Sequence, residues 1–163
     1  MKAVFAIIVA FSVYLGLGSA VFAKPVDPVC EKVLPLAEVN KAYTKKKIVL
    51  FGQQEQRWAT ATCNYGHEDD KEPALTLGIA PYISSDKFNK TYKNNPLWKP
   101  LTGVGDEAFV SGKLGDMVVA GKGKLVIMLV SYVDLDKKTF KTTPKFSTNQ
   151  LVEWAKQILA RYK

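Results

Sequence analysis

Apolar residues recur about one helical turn apart in three parts of this chain, and this spacing predicts three helical regions. They cover residues 27–43, residues 86–93 and the segment that begins at Ser147. Pro35 interrupts the first region, so a broken helix is expected there. In the last region, the apolar stripe is expected to include Leu151, Ala155, Ile158, Leu159 and Tyr162, with Trp154 beside it.

Alternating apolar and polar residues dominate most of the remaining chain, a pattern typical of strands with one buried face. It predicts strands over 48–51, 58–65, 74–82, 107–110, 116–120 and 125–133. The last of these is the most apolar, so it is expected to lie in the centre of the sheet. Short loops between successive strands favour antiparallel pairing. We therefore expect an α+β fold, a single antiparallel sheet of about five to six strands with two to three helices packed on it.

The first 23 residues have a different pattern, which is typical of a secretory signal peptide. Lys2 gives a positive start, an apolar run follows from Ala3 to Leu17, and small residues precede Lys24. The run is shorter than the roughly 20 residues that a membrane-spanning helix needs. Cleavage is expected after Ala23, or alternatively after Ala20, although an uncleaved signal anchor is also compatible with the pattern.

The expected organisation is a signal peptide over 1–23 and a single exported α+β domain over 24–163, soluble in the periplasm or outside the cell. The formal net charge of the chain is +8. A basic exported protein attracts anionic envelope components or acidic protein partners, although dispersed lysines also serve solubility alone. A nucleic-acid partner is not expected, and neither is a stable membrane span after cleavage. The oligomeric state is left open.

Cys30 and Cys63 are the only cysteines. In an oxidising compartment an even number of cysteines predicts a disulfide, here one that closes a loop of about 33 residues. Such a loop corresponds to roughly 3.5–4 kcal/mol of stabilisation in the chain-entropy treatment. Two buried free thiols are the alternative interpretation, whereas a redox-active pair is disfavoured because no C-x-x-C motif is present.

The run from His67 to Asp70 has the composition of a metal site but not the spacing. Its four polar side chains are contiguous, so they diverge on an extended loop, and a solvated hairpin tip is expected instead. His67 is also the only histidine, and nothing in the sequence positions it as a base for a nucleophile. We therefore predict no metal, no cofactor and no catalytic residue.

Five residues are candidates for binding: Trp98, Lys99, Arg57, Asp106 and Glu107. Prolines and a lysine flank Trp98, so its ring is a candidate for stacking on a sugar or a partner, and the alternative is a rim residue packed under the Pro-rich loop. Asp106 and Glu107 are adjacent on a predicted strand and point to opposite faces, which argues against a shared acid–base role. Asp106 is expected to cap its loop through backbone N–H groups.

Four short motifs resemble those of a known group of proteins. They are Asp27-Pro-Val-Cys30, Leu34-Pro-Leu-Ala-Glu-Val39, Cys63-Asn-Tyr65 and Gly103-Val-Gly-Asp-Glu-Ala-Phe109, followed by a strand meander with Val-x-x-Gly-Lys-Gly and an amphipathic helix. The chain resembles small secreted proteins and lipoproteins of unknown function, best known from actinobacteria. It is also similar to the extracellular sensor domains of some bacterial serine/threonine kinases. In that group the first cysteine directly follows Asp-Pro, whereas here Val29 intervenes, and no lipid-attachment cysteine is present.

The resemblance implies an envelope-facing binding or sensing domain and supplies no catalytic residues. The sequence thus favours a non-catalytic exported binding, sensing or accessory module of the cell envelope. One alternative is a small extracytoplasmic hydrolase or isomerase with an unrecognised polar site, which a cleft joining Asp106 or Glu107 to Arg57 or His67 would favour. Another is a structural or inhibitory protein that docks on a partner.

Overall fold

The computed structural model describes residues 27–51, 59–69, 72–82, 84–111, 116–139 and 141–162. In this part of the chain the helices are α1 (Pro28–Val33), α2 (Leu36–Ala42), α3 (Ser85–Tyr92) and α4 (Thr148–Arg161). The strands are β1 (Val49–Phe51), β2 (Ala61–Gly66), β3 (Leu75–Pro81), β4 (Lys99–Leu101), β5 (Glu107–Ser111), β6 (Met117–Lys122), β7 (Leu125–Ser131), β8 (Val133–Leu135) and β9 (Thr142–Pro144). The predicted signal peptide lies outside the described residues.

One antiparallel sheet organises these elements and confirms the predicted α+β fold. Its seven strands run in the order β1-β2-β3-β7-β6-β5-β4, so two meanders meet where β3 pairs with β7. The most apolar strand, β7, is central, as predicted. The extra strand is β4, whose three residues are too few for an alternating pattern. Residues 134–146, for which no strand is predicted, hold most of a small β8–β9 hairpin.

Helices α1, α2 and α4 cover one face of the sheet and bury the main core against it. Asp27 caps α1, and Ser147 caps α4 by accepting a hydrogen bond from the backbone of Gln150. The buried stripe of α4 contains Leu151, Trp154, Ala155, Ile158 and Leu159. The prediction was wrong for Tyr162, which lies just past the helix and is 40% exposed.

A disulfide between Cys30 and Cys63 joins α1 to β2 within this core, as predicted. Both cysteines are buried, and their Cα atoms lie 5.5 Å apart. Arg161 adds a second link between distant segments, because its guanidinium donates to the carbonyl of Val33 and to the carboxylate of Glu38. The start and the end of the described chain therefore meet on this face.

Helix α3 lies on the opposite face of the sheet, over a separate apolar cluster. Phe88 is the buried residue of α3 and packs with Phe109, Val119 and Val126 from the strands below. The sheet thus has a broad core on one face and a smaller cluster under one short helix on the other. Within the described residues, no helix is long and apolar enough to cross a membrane.

Candidate functional site

The local sequence explains why α3 sits where it does. Ser84 caps the helix by accepting a hydrogen bond from the backbone N–H of Lys87, whereas the sequence leaves the cap open between Ser84 and Ser85. Phe88 and Tyr92, one turn apart, then face the sheet together. The Tyr92 ring stacks near Phe109 and meets Trp98 edge-on, with ring centroids 5.9 and 5.0 Å away. Aromatic packing therefore fixes the helix on the strands.

A groove of about 280 Å³ opens between one side of α3 and the adjoining strands. We call it the α3 groove, and its lining residues are Ala80, Pro81, Lys87, Phe88, Thr91, Tyr92 and Val126. The walls are apolar apart from Lys87 and Thr91, which lie one helical turn apart at the exposed rim. Its volume is close to the lower end of the range for ligand pockets, about 300–1,000 Å³.

A hydrogen-bonded carboxylate lies on the other side of the same helix. Glu107 accepts hydrogen bonds from the hydroxyl of Tyr82 at 2.7 Å, from the hydroxyl of Ser85 at 2.6 Å and from the side-chain amide of Asn89. We call these four residues the Glu107 cluster. The pairing register places Glu107, Gly121, Val126 and Ala80 in one row across neighbouring strands. The Glu107 cluster and the α3 groove therefore lie along the same row, on opposite sides of α3.

The electrostatics of the Glu107 cluster keep its carboxylate ionised. The hydrogen bonds from Ser85 and Tyr82 lower the pKa of Glu107 below its ordinary value, and Asn89 and the charge of Lys93 act in the same direction. Desolvation and the hydrogen bond to Glu107 raise the pKa of Tyr82. The cluster therefore fixes one negative charge and links β5 to the end of β3 and to α3. These hydrogen bonds help to position α3 on the sheet.

Glycines allow the loop before Glu107 to pack closely against the turn between β6 and β7. Gly103 and Gly105 have φ of +75° and +61°, in the left-handed region that favours glycine. The backbone N–H of Asp106 donates to the carbonyl of Gly121, and its carboxylate accepts from the N–H of Gly123 at 2.7 Å. Asp106 therefore accepts from a backbone N–H, as expected, but it caps the β6–β7 turn and not its own loop.

No known protein family, curated protein or solved structure matches this chain. The resemblance to small secreted actinobacterial proteins and kinase sensor domains accordingly stays a prediction.

The five candidate binding residues are distributed over different places. Glu107 lies in the cluster, Asp106 in the turn, and Trp98 is half-buried against Tyr92, which fits the alternative of a packed rim residue. Lys99 is exposed on the edge strand β4. Arg57 lies outside the described residues.

His67 is buried, which the sequence did not predict. Its ring contacts that of Tyr43, with centroids 5.4 Å apart, and its Nδ1 lies 3.0 Å from the carbonyl oxygen of Lys47. It follows β2, four strands from Glu107, which is about 19 Å at the usual strand spacing of about 4.8 Å. The structure thus does not join His67 to Glu107, while Glu68 and Asp69 are exposed as expected for a hairpin tip.

Sequence reasoning missed the α3 groove. Lys87 and Thr91 share one side of the helix next to the apolar pair Phe88 and Tyr92, and this spacing is the only local signal of it. The opposing wall comes from β3, which directly precedes α3, and from β7, which lies far along the chain and reaches the groove only by pairing with β3. The groove therefore depends on strand pairing that no local pattern specifies.

Proposed function

We propose that this chain is an exported, non-catalytic binding module of the cell envelope, with its ligand seat in the α3 groove. The observation that carries this proposal is an open groove with apolar walls and a polar rim. Such a shape removes the apolar surface of a ligand from water while leaving its polar end solvated.

The chemistry of the Glu107 cluster supports binding over catalysis. General acid–base catalysis works best with a group whose pKa lies near the working pH. The pKa of Glu107 is lowered and that of Tyr82 is raised, so both move away from neutrality. The carboxylate also already accepts three hydrogen bonds. A hydrolase or isomerase built on Glu107 is therefore disfavoured.

Export is supported by two independent features of the chain. The apolar run from Ala3 to Leu17 has the layout of a signal peptide. The Cys30–Cys63 disulfide belongs to the type of link that persists in oxidising compartments. Together they favour a ligand that is found in the envelope or outside the cell.

Titration of residues 24–163 with the neutral fluorescent probe N-phenyl-1-naphthylamine tests the proposal. We expect saturable binding of one probe per chain. The variant Thr91→Trp places an indole at the rim of the groove, and it should weaken probe binding at least tenfold. Trp and Thr have similar helix propensities and Thr91 is exposed, so the fold should tolerate this change.

Thr143→Trp is the matched control, because Thr143 is equally exposed but lies on β9, away from the groove. It should bind the probe like the unmodified chain. Equal binding by all three proteins would place the probe elsewhere and contradict the proposal. Absence of any saturable binding would do the same and would favour the alternative of a protein that docks on a partner.

A further inference from the structure

We infer that the α3 groove takes a small single-chain amphiphilic anion, with its apolar chain along the groove and its charged head group at Lys87. This inference rests on the proposed function and names the ligand class for the same site. It follows from the distribution of charge around the groove, from the composition of its walls and from its size.

The charge at the rim is positive. Lys87 lines the groove, and it makes no ion pair with another described residue. Lys90 follows on the same helix and likewise has no such ion pair within the described chain, whereas the charge of Lys93, after the helix, acts on Glu107. The whole chain carries +8, so the field around this helix attracts anions from a distance.

No acidic residue lines the groove, although Asp86 precedes Lys87 on the helix and forms no ion pair within the described residues. The carboxylate of Glu107 is on the opposite side of α3 and is already hydrogen-bonded to Ser85, Asn89 and Tyr82. Because these bonds hold it away from the groove, it does not neutralise Lys87. A ligand head group with a negative charge therefore fits the rim better than a neutral or a cationic one.

The walls and the volume define the rest of the ligand. Phe88, Tyr92, Val126, Ala80 and Pro81 offer apolar surface with no buried polar partner for a sugar or a peptide backbone. A volume of about 280 Å³ holds one short chain and not the two chains of a membrane lipid. We therefore expect a free, monomeric ligand of the type of a medium-chain fatty acid.

Displacement of N-phenyl-1-naphthylamine by decanoate and by decanol tests this inference, since the two competitors share a chain and differ in charge. At low salt decanoate should bind about two- to fivefold more tightly, the range expected for a partly exposed ion pair. The preference should disappear at high salt. In a series from hexanoate to decanoate, affinity should rise about fourfold per methylene until the groove is full.

Lys87→Gln should abolish the preference for decanoate over decanol, and a far-UV circular dichroism spectrum equal to that of the unmodified chain shows that the variant is folded. Lys137→Gln removes the same charge from the exposed β8–β9 hairpin and should keep the preference. Equal displacement by decanoate and decanol in the unmodified chain would overturn the anionic ligand but not the proposed function. Loss of the preference in both variants would attribute it to net charge and would overturn the role of Lys87.

Discussion

Gly103 and Gly105 have the same backbone conformation in different surroundings. Replacing each with alanine therefore distinguishes the cost of a positive φ from the cost of a steric clash. Both have a positive φ, which costs a residue with a Cβ about 1–2 kcal/mol. A Cβ at Gly103 meets nothing within 4 Å, whereas a Cβ at Gly105 would come within 2.4 Å of the Gly121 carbonyl oxygen. We predict that Gly105→Ala lowers the free energy of unfolding by about 1–3 kcal/mol more than Gly103→Ala does.

Urea denaturation of both variants beside the unmodified chain measures this difference. Gly103→Ala is the matched control, since it carries the same backbone cost without the collision. Equal losses in the two variants would mean that the loop is free to move away from Gly121.

The carboxylate of Glu107 should make the free energy of unfolding fall as the pH is lowered. Its pKa is lowered by the hydrogen bonds from Ser85 and Tyr82, so it stabilises the fold above the pKa of the unfolded chain, about 4.3, and this contribution is lost as the pH falls through its lower folded pKa. We predict that Glu107→Gln costs about 1 kcal/mol at pH 7. The difference between the two proteins should shrink toward pH 3, as measured by urea denaturation at both pH values.

Glu153→Gln is the control for the Glu107 prediction. Glu153 is exposed on α4 and forms a surface ion pair with Lys156, so its replacement should change stability by no more than about 0.5 kcal/mol. A Glu107→Gln protein as stable as the unmodified chain at pH 7 would contradict the assigned hydrogen bonding.

Some side-chain roles are local and could be predicted from the sequence. The caps at Asp27, Ser84 and Ser147 depend on hydrogen bonds within three residues, so the local sequence is enough to favour a side-chain acceptor at each of these helix starts. The burial of His67 depends on Tyr43 and Lys47, which come from a preceding segment. The polar residues next to His67 in the sequence therefore predicted an exposed side chain, whereas contacts with a distant segment bury it.

At the scale of elements, the disulfide holds α1 on β2. The double variant Cys30→Ala/Cys63→Ala should lose about 3–4 kcal/mol of stability, because the loop between the two cysteines is no longer closed in the unfolded chain. Both cysteines are buried, so dithiothreitol should reduce the native protein only as fast as it unfolds. A gel-shift assay with a thiol-reactive polymer, with and without urea, measures the reduction rate.

Two results would contradict the structural role of this disulfide. One is reduction in native buffer as fast as in urea, since that would require exposed sulfur atoms. The other is a double variant that unfolds at the same urea concentration as the oxidised protein.

Elements with many residues could be predicted, whereas of the four three-residue strands only β1 was predicted. β7 has seven residues and α4 has fourteen, enough for the period of either pattern to emerge. β4, β8 and β9 have three residues each, and their strand character comes from the neighbours they pair with. Tyr162 fits the helical period of α4, but the helix ends one residue earlier.

At the scale of the whole molecule, the pairing of β3 with β7 joins the two meanders. Leu77, Ile127 and Leu129 on these strands have no exposed surface. We predict that backbone amides of β3 and β7 exchange with deuterium at least about 100-fold more slowly than those of the exposed β8–β9 hairpin. Hydrogen exchange followed by NMR measures both sets in one sample, and the hairpin is the internal control.

Protection of β8 and β9 equal to that of β7 would contradict this ranking and would indicate that the hairpin unfolds only with the sheet.

The order of the strands in the sheet could not be predicted from the sequence. Residues 75–81 and 125–131 are both apolar, and an apolar strand can pair with many other strands, so the sequence does not specify that these two are neighbours. The fold class followed from local patterns, whereas the α3 groove depended on this one long-range pairing.

The two faces of the sheet separate the ends of the described chain from the α3 groove. Residue 27 at the cap of α1 and residue 162 after α4 lie with the helices of one face, and the groove opens on the other face. A chain immobilised through either point on a sensor chip or a fused scaffold would keep its groove directed outward.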